Sequence, residues 1–512
     1  MIPGWVYAMA ATVAGSCASY RSLYADQAER TDFARSTNAS GPLRAFYGPV
    51  HDAHSVGALT AWRLGVIGAA LTALMSILLV VRHTREEEET GRQEMLGSTM
   101  VDRRAPLTAA LSAALAANTG VAVAAAAGLT VLGQGLAGSV ALGLQLAAAG
   151  LAFAGVAAVV AQLTGTARAA RGLSGALLGA AFLLRAAGDA ARPDASSPLV
   201  WASPLGWLEH LHPYAGESWW VLALPAAFAA GCCALAYAVV ERRDIGAGLL
   251  PGRPGRATGT LRGPLALAWR LQRGSLLGWG AGLVVAGAVY GSVTDSVGDI
   301  VGDNHQVDDI LHRMGGHSGL TDAFLSTVVG VYGVAAAAYA VQSLLRLRAE
   351  ETGGGAEALL AHPVGRLRWA AGHLLHALLG PVALLAAAGA ATGLAYGLSV
   401  HDVGAQLPRL TGAAVAQAPA VWVLGGLGLA LFGLLPRAAA AAWGLLGACV
   451  LLGQFGQVLR LPRAVSDLSP FTHLPDLPGA RPDAAPYAWL LLAAAAAVAA
   501  GLTGLRRRDL TG

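Results

Sequence analysis

Apolar runs long enough to cross a bilayer follow one another through most of this 512-residue chain, and nothing constrains its fold more. A transmembrane helix needs about 20 predominantly apolar residues. Runs bounded by charge or by Pro/Gly clusters fall near 2–19, 58–81, 106–133, 138–164, 172–191, 218–240, 276–294, 322–345, 371–398, 411–435, 438–459 and 486–505. Hydrophobic residues make up 55% of the chain and charged ones 12%, at a mean hydropathy of +0.55, which excludes a soluble core. The expected fold is an all-α polytopic membrane protein of about twelve transmembrane helices.

All 34 basic residues are arginine, and the absence of lysine excludes a phosphate-binding loop of the GxxxxGK[ST] type. The chain is therefore not itself a P-loop ATPase. Its arginines sit in short loops between apolar runs, so the net charge of +4 reports membrane orientation and not a nucleic-acid partner. Loops after even-numbered runs hold 22 arginines and the rest of the chain 12, which puts both termini in the cytosol under the positive-inside rule. Cys17, Cys232, Cys233 and Cys449 lie inside apolar runs as thiols, without zinc-ligand or disulfide spacing. The first run has no basic leader or A-x-A-like site, so no cleaved signal peptide is expected.

A charged elbow occurs twice. RHTREEEETGRQEMLGSTMVDRR starts at Arg82 and RLRAEETGGGAEALLAHPVGRLR at Arg346, each between apolar runs, at an offset of about 263 residues. ERRD (Glu241 to Asp244) and RRRD (Arg506 to Asp509), and Ser203-Pro204 and Ser469-Pro470, keep nearly that offset. The chain thus divides into two homologous six-span halves, 1–250 and 251–512. The first contains an elbow at 82–105 and an outer re-entrant loop at 192–217. The second contains an amphipathic headgroup segment at 261–275, an elbow at 346–369 and an outer loop at 460–485. The first half has no counterpart of that amphipathic segment, which points either to a late-assigned start or to its loss.

Within an elbow, Glu88 to Arg92 is a favourable i, i+4 pair that would brace a helix leaving the second span. Four successive acids at the end of a span nevertheless oppose the helix dipole, and the motif is kept in both halves. Gly91 and Gly353 then permit turns, and an apolar step follows each of Glu94 and Glu357. A charged surface with a small apolar tooth, present twice, suits docking onto two identical cytosolic subunits. Glu87-Glu88 with Arg92 also fits the EExxxR spacing of glutamate intramembrane proteases, but those acids belong inside a span beside histidines; His373 and His376 lie elsewhere. No catalytic constellation and no metal site is expected.

The outer loops, rich in Pro, His and aromatic residues, read as short helices or turns dipping into the interface, with Trp201, Trp207, Tyr214, Trp219 and Trp220 forming an aromatic belt. Asp295, Asp299 and Asp303, followed by Asp308 and Asp309, read as a solvated acidic face, and His305, His312 and His317 as surface residues. Gly278/Gly282 and Gly287/Gly291 form small-residue pairs. Pro225, Pro381 and Pro419 are expected to kink their spans. Arg185 and Asp189 pair one turn apart near the outer end of the fifth span, whereas Arg63, Glu209 and Glu217 lie where exposure is cheap; no buried proton relay is apparent.

VVRHTREEEETGRQEML, EETGxxxEALLAHPVGRLRW, SPLGWLEHLHPYAGESWW and ERRDIGAGLLPGRPGR together resemble the duplicated permeases of bacterial ATP-binding-cassette exporters, the type-2 transporter superfamily of polyketide-antibiotic (tetronasin) exporters. The resemblance covers almost the whole chain. It implies a permease of the bacterial inner membrane that exports hydrophobic compounds, with coupling elbows at Glu88, Glu89, Gly91, Arg92 and Glu94 and at Glu350, Glu351, Gly353, Glu357, Pro363 and Arg366. It also implies re-entrant elements at Ser203, Pro204, Glu217, Ser469 and Pro470. ATP and Mg are then bound by a separate ATPase subunit, two copies per chain, and this chain binds no cofactor. The second elbow departs from the family's paired Gly-Arg, reading Gly353-Gly354-Gly355 with one extra residue. A twelve-span proton-coupled transporter is the alternative. A neighbouring reading frame with a P-loop and an LSGGQ signature would favour the exporter.

Overall fold

The computed structural model describes residues 2–24, 26–97, 100–191, 197–244, 246–249, 263–301, 317–455, 467–480 and 483–508. The regular elements among them are helices, without a strand. The protein is an all-α polytopic membrane protein, and among the described residues ten helices are long and apolar enough to span a bilayer. Two of the twelve expected runs fall outside that ten. Ile2–Leu23 is a 22-residue helix diluted by Gly, Ser, Thr and Tyr, and Ala441–Phe455 comprises 15 residues up to the limit of the described residues.

The chain separates into two compact units, Met1–Gly255 and Arg256–Gly512. Unit one contains α1 (Ile2–Leu23), α2 (Val56–Val81), α3 (Ala105–Val131), α4 (Leu136–Leu163), α5 (Ala167–Ala191) and α6 (Ala223–Val240). Ser55 starts α2 by accepting from the amide of Ala58 at 3.0 Å, meeting one of the amide donors a helix leaves open. α2 and α4 form the buried centre, packed against each other and against α3, and α4 also packs against α6. The α1–α2 connection is itself helical over Gln27–Ala39 and Gly41–Tyr47; the first of these has an Asp26/Glu29 capping box.

Unit two contains α7 (Pro264–Val301), α8 (His317–Thr352), α9 (Arg366–Ser399), α10a (Val403–Val415), α10b (Ala418–Leu434), α11 (Ala441–Phe455) and α12 (Ala484–Arg507). The amphipathic stretch is not a separate surface helix: from Pro264 it is continuous with the seventh span in one 38-residue helix. On α7, Gly287 and Gly291 lie directly against the backbone of Ala388 and Thr392 on α9, where a Cβ has no room, while Gly278 and Gly282 face open space. Of the three expected kink sites, Pro381 alone sits in the interior of its helix; Pro225 and Pro419 lie in the first turns of α6 and α10b, where their missing amides cost little. Asp303, Asp308, Asp309, His305 and His312 lie outside the described residues, as do 192–196, 456–466 and 481–482 of the outer loops.

Candidate functional site

Each elbow begins where a span helix outruns the bilayer. α2 continues through one π-helical turn, Arg82–Glu86, to Glu89, making Val56–Glu89 a 34-residue rod. At 1.5 Å per residue it is about 50 Å long against a hydrocarbon core of about 30 Å, so its charged end projects. The chain turns at Gly91, φ +72°, into a short helix, Arg92–Gly97. In unit two α8 ends at Thr352, Gly354 turns at φ +74°, and the short helix is Gly355–Leu360. A positive φ favours glycine at both turns.

Through the elbow the structural register is 263 residues: Gly91 corresponds to Gly354, Arg92 to Gly355 and Glu94 to Glu357. Matching the EETG strings, as the sequence invites, is wrong by one position. Gly353 is not the turn residue, and the second elbow has no insertion.

The same register pairs Arg85 with Arg348 and Glu88 with Glu351, and each copy holds its acid between two arginines. Glu88 Oε2 accepts from Arg85 Nη1 at 2.6 Å and from Arg243 Nη1 at 3.0 Å, and its Oε1 from Arg243 Nη2. Glu351 accepts from Arg508 Nη1 at 2.8 Å and Nη2 at 3.0 Å, and from Arg348 Nη1 at 3.3 Å. Arg243 and Arg508 belong to the ERRD and RRRD strings after the last span of each unit. Two separate sequence echoes are therefore the two sides of one contact. Arg103 and Arg366 repeat the correspondence by donating to the carbonyls of Arg243 and Arg508.

The side chains of Glu88 and Glu351 are 3% and 2% exposed. They are internal clamps, and the expectation that they present charge to a partner is overturned. Glu350 also turns inward, accepting from Trp369 Nε1 at 3.0 Å beside His373 Nε2 at 3.3 Å. Glu89 Oε1 takes the amide of Ala167 at 2.9 Å and so caps α5. The expected Glu88–Arg92 brace is absent; Arg92 Nη1 lies 3.6 Å from Glu87. Of the expected elbow residues, Glu89, Arg92 and Glu94 are exposed in unit one, beside the exposed Met95, and Gly353, Glu357 and Pro363 in unit two, with Gly91 and Arg366 half-buried.

At the far end of α5, the expected Arg185–Asp189 pair forms at 2.9 Å. Glu209, expected near the surface, is buried and joins it, its Oε1 2.7 Å from Arg185 Nη1. The apparent lack of buried titratable groups is thereby corrected. Ser203 ties the adjoining segment to α5, donating to the Ala181 carbonyl at 2.7 Å and accepting from the amides of Leu205 and Gly206 to start the helix at Pro204. Ser469, before the short helix at Pro470, donates to the Cys449 carbonyl of α11 at 3.4 Å. Glu217 accepts from the amide of Tyr214 at 3.2 Å.

Residues 261–506 match the family model described as "Multidrug efflux system permease Rv1217c, C-terminal domain". The multidrug efflux system permease protein Rv1217c of Mycobacterium tuberculosis (strain ATCC 25618 / H37Rv) is 45% identical over 511 residues, covering 99% of this chain and 92% of that one. The chain belongs to this family of multidrug efflux permeases.

The permease also has an apolar groove of about 500 Å³ in unit one, between α3, α4 and α6. Leu111, Leu115, Leu144 and Leu151 line it, and Thr108 and Tyr237, 2.9 Å apart, form its polar end. Nothing in the local sequence of these Ala/Leu-rich helices marks the groove, because it arises from how three of them diverge. Among the described residues no group of three metal-ligand side chains comes together in the permease.

Proposed function

We propose that this permease is the transmembrane subunit of an ATP-driven efflux pump for hydrophobic compounds, with polyketide-type antibiotics as the first class to test. ATP and Mg are bound by a separate ATP-binding-cassette subunit, two copies of which dock on the two elbows. The observation that carries this reading is the matched build of those elbows: a short exposed helix held on a projecting rod whose acid is clamped to the tail of the same unit. A rod stiffened in this way transmits a push into the membrane. The arginine asymmetry supports cytosolic elbows and termini in the bacterial inner membrane. The alternative, a proton-coupled transporter, draws support from the buried acids Asp189 and Glu209.

The test reverses exposed charges only, Arg92→Glu with Glu94→Arg and, separately, Glu357→Arg, in cells expressing the permease with its candidate ATPase. Export of tetronasin is expected to fall, together with co-purification of the ATPase, while membrane insertion of the permease is unchanged. Full efflux and co-purification in both variants would refute elbow docking. Efflux that survives ATP depletion but collapses with a protonophore would identify the proton-coupled transporter.

A further inference from the structure

The cluster at the end of α5 remote from the elbow is unaccounted for by coupling to a motor. The side chains of Arg185, Asp189 and Glu209 are 0%, 0% and 5% exposed. One nitrogen, Arg185 Nη1, donates to Asp189 Oδ2 and to Glu209 Oε1, while Nη2 serves the carbonyls of Ala45 and Phe46. The remaining oxygens, Asp189 Oδ1 and Glu209 Oε2, are buried without a donor among the described residues. The other two oxygens, Asp189 Oδ2 and Glu209 Oε1, lie 2.9 and 2.7 Å from that one nitrogen, which sets the two carboxyls side by side.

The neighbouring charges relieve this arrangement only in part, because the buried Arg44 guanidinium lies beside Asp189 but donates to neither carboxyl. Arg44 spends its nitrogens on the carbonyls of Asn38, Asp189 and Ala190. His51, Asp52 and His212 line, with Glu209, a narrow cleft of about 40 Å³, and His210 Nδ1 meets the Gly206 carbonyl. Two buried carboxylates sharing one guanidinium nitrogen repel each other, and ionising both leaves a negative charge that water does not solvate. A pair in this situation retains one proton, which belongs to the pair and to neither residue alone.

We propose that Asp189 and Glu209 form a proton-binding site that holds one dissociable proton, with Arg185 balancing the remaining carboxylate. The proton supplies the donor that two acceptor-only groups lack. With it bound, one carboxylate pairs with Arg185; its loss to water through the His51/His212 cleft adds a second negative charge beside the first. Because Asp189 is on α5 and Glu209 on the segment that starts at Pro204, the bound proton holds that segment to the span, and proton release pushes them apart. The inference is independent of how transport is powered.

Infrared difference spectroscopy of the full-length permease in lipid nanodiscs tests it. At neutral pH the wild type is expected to show a protonated carboxylic-acid band that shifts in D2O. Asp189→Asn and Glu209→Gln should each abolish that band, because the surviving carboxylate ionises against Arg185. Hydrogen exchange over 204–211 should rise at alkaline pH beyond the intrinsic rate increase in the wild type, but not in Glu209→Gln. A wild type without the band, or a band that persists in both variants, overturns the proposal. So does failure of both amide variants to fold, since a single neutral replacement preserves the charge balance that the site requires.

Discussion

Glu88 and Glu351 show how burial reverses the meaning of a charged motif. An acid on a surface elbow contributes little to stability, but an acid held between two arginines leaves uncompensated charge when it is removed. Breaking such a buried pair costs about 3–5 kcal/mol, whereas exposed substitutions mostly stay within about 0.5 kcal/mol. Glu88→Ala and Glu351→Ala should therefore lower the unfolding midpoint of the purified permease strongly, and Glu94→Ala and Glu357→Ala hardly at all. Equal effects in a thermal unfolding assay would refute the distinction. The clamp acids lay within the recognisable elbow, but their partners did not. Arg243 and Arg508 are 155 and 157 residues away from them in the chain, and only the 263-residue register combined with the tail echoes could have joined them.

At the scale of elements, the long helices were legible because their apolar runs exceed bilayer thickness, a constraint that needs no tertiary context. The turn within the second elbow was not legible. Three consecutive glycines offer three candidate turn sites, and composition alone does not choose among them. The backbone does: Gly354 has φ +74° and Gly353 does not have a positive φ. Forcing a Cβ into the left-handed region costs about 1–2 kcal/mol. Gly354→Ala and Gly91→Ala should carry that cost, and Gly353→Ala less, as read by unfolding in denaturant. A larger loss for Gly353→Ala than for Gly354→Ala would restore the EETG alignment. The continuity of the amphipathic segment with α7 was hidden for a different reason: an arginine-bearing helix reads alike whether it lies on the headgroups or extends a span.

For the whole molecule, stability has an acid limit. His212, on the segment that carries Glu209, is held below the ordinary histidine range by burial and by the neighbouring His210. Its folded form resists protonation, while the unfolded chain takes up a proton below the ordinary value of about 6.5. The stabilisation is therefore complete above that value and is lost as pH falls beneath it. Unfolding midpoints should drop on acidification in the wild type and drop less in His212→Gln; parallel profiles would remove His212 from the account.

The tail clamps have a mechanical consequence as well. Arg243 and Arg508 bind the end of the last helix in each unit to the rod that carries the elbow, so a force applied at one elbow is borne by two helices in parallel. α2 shares its load with α6, and α8 with α12. Stiffness in each unit then depends less on either helix alone than on a guanidinium joint between them, and loosening that joint would let the elbow yield while the membrane helices stay still.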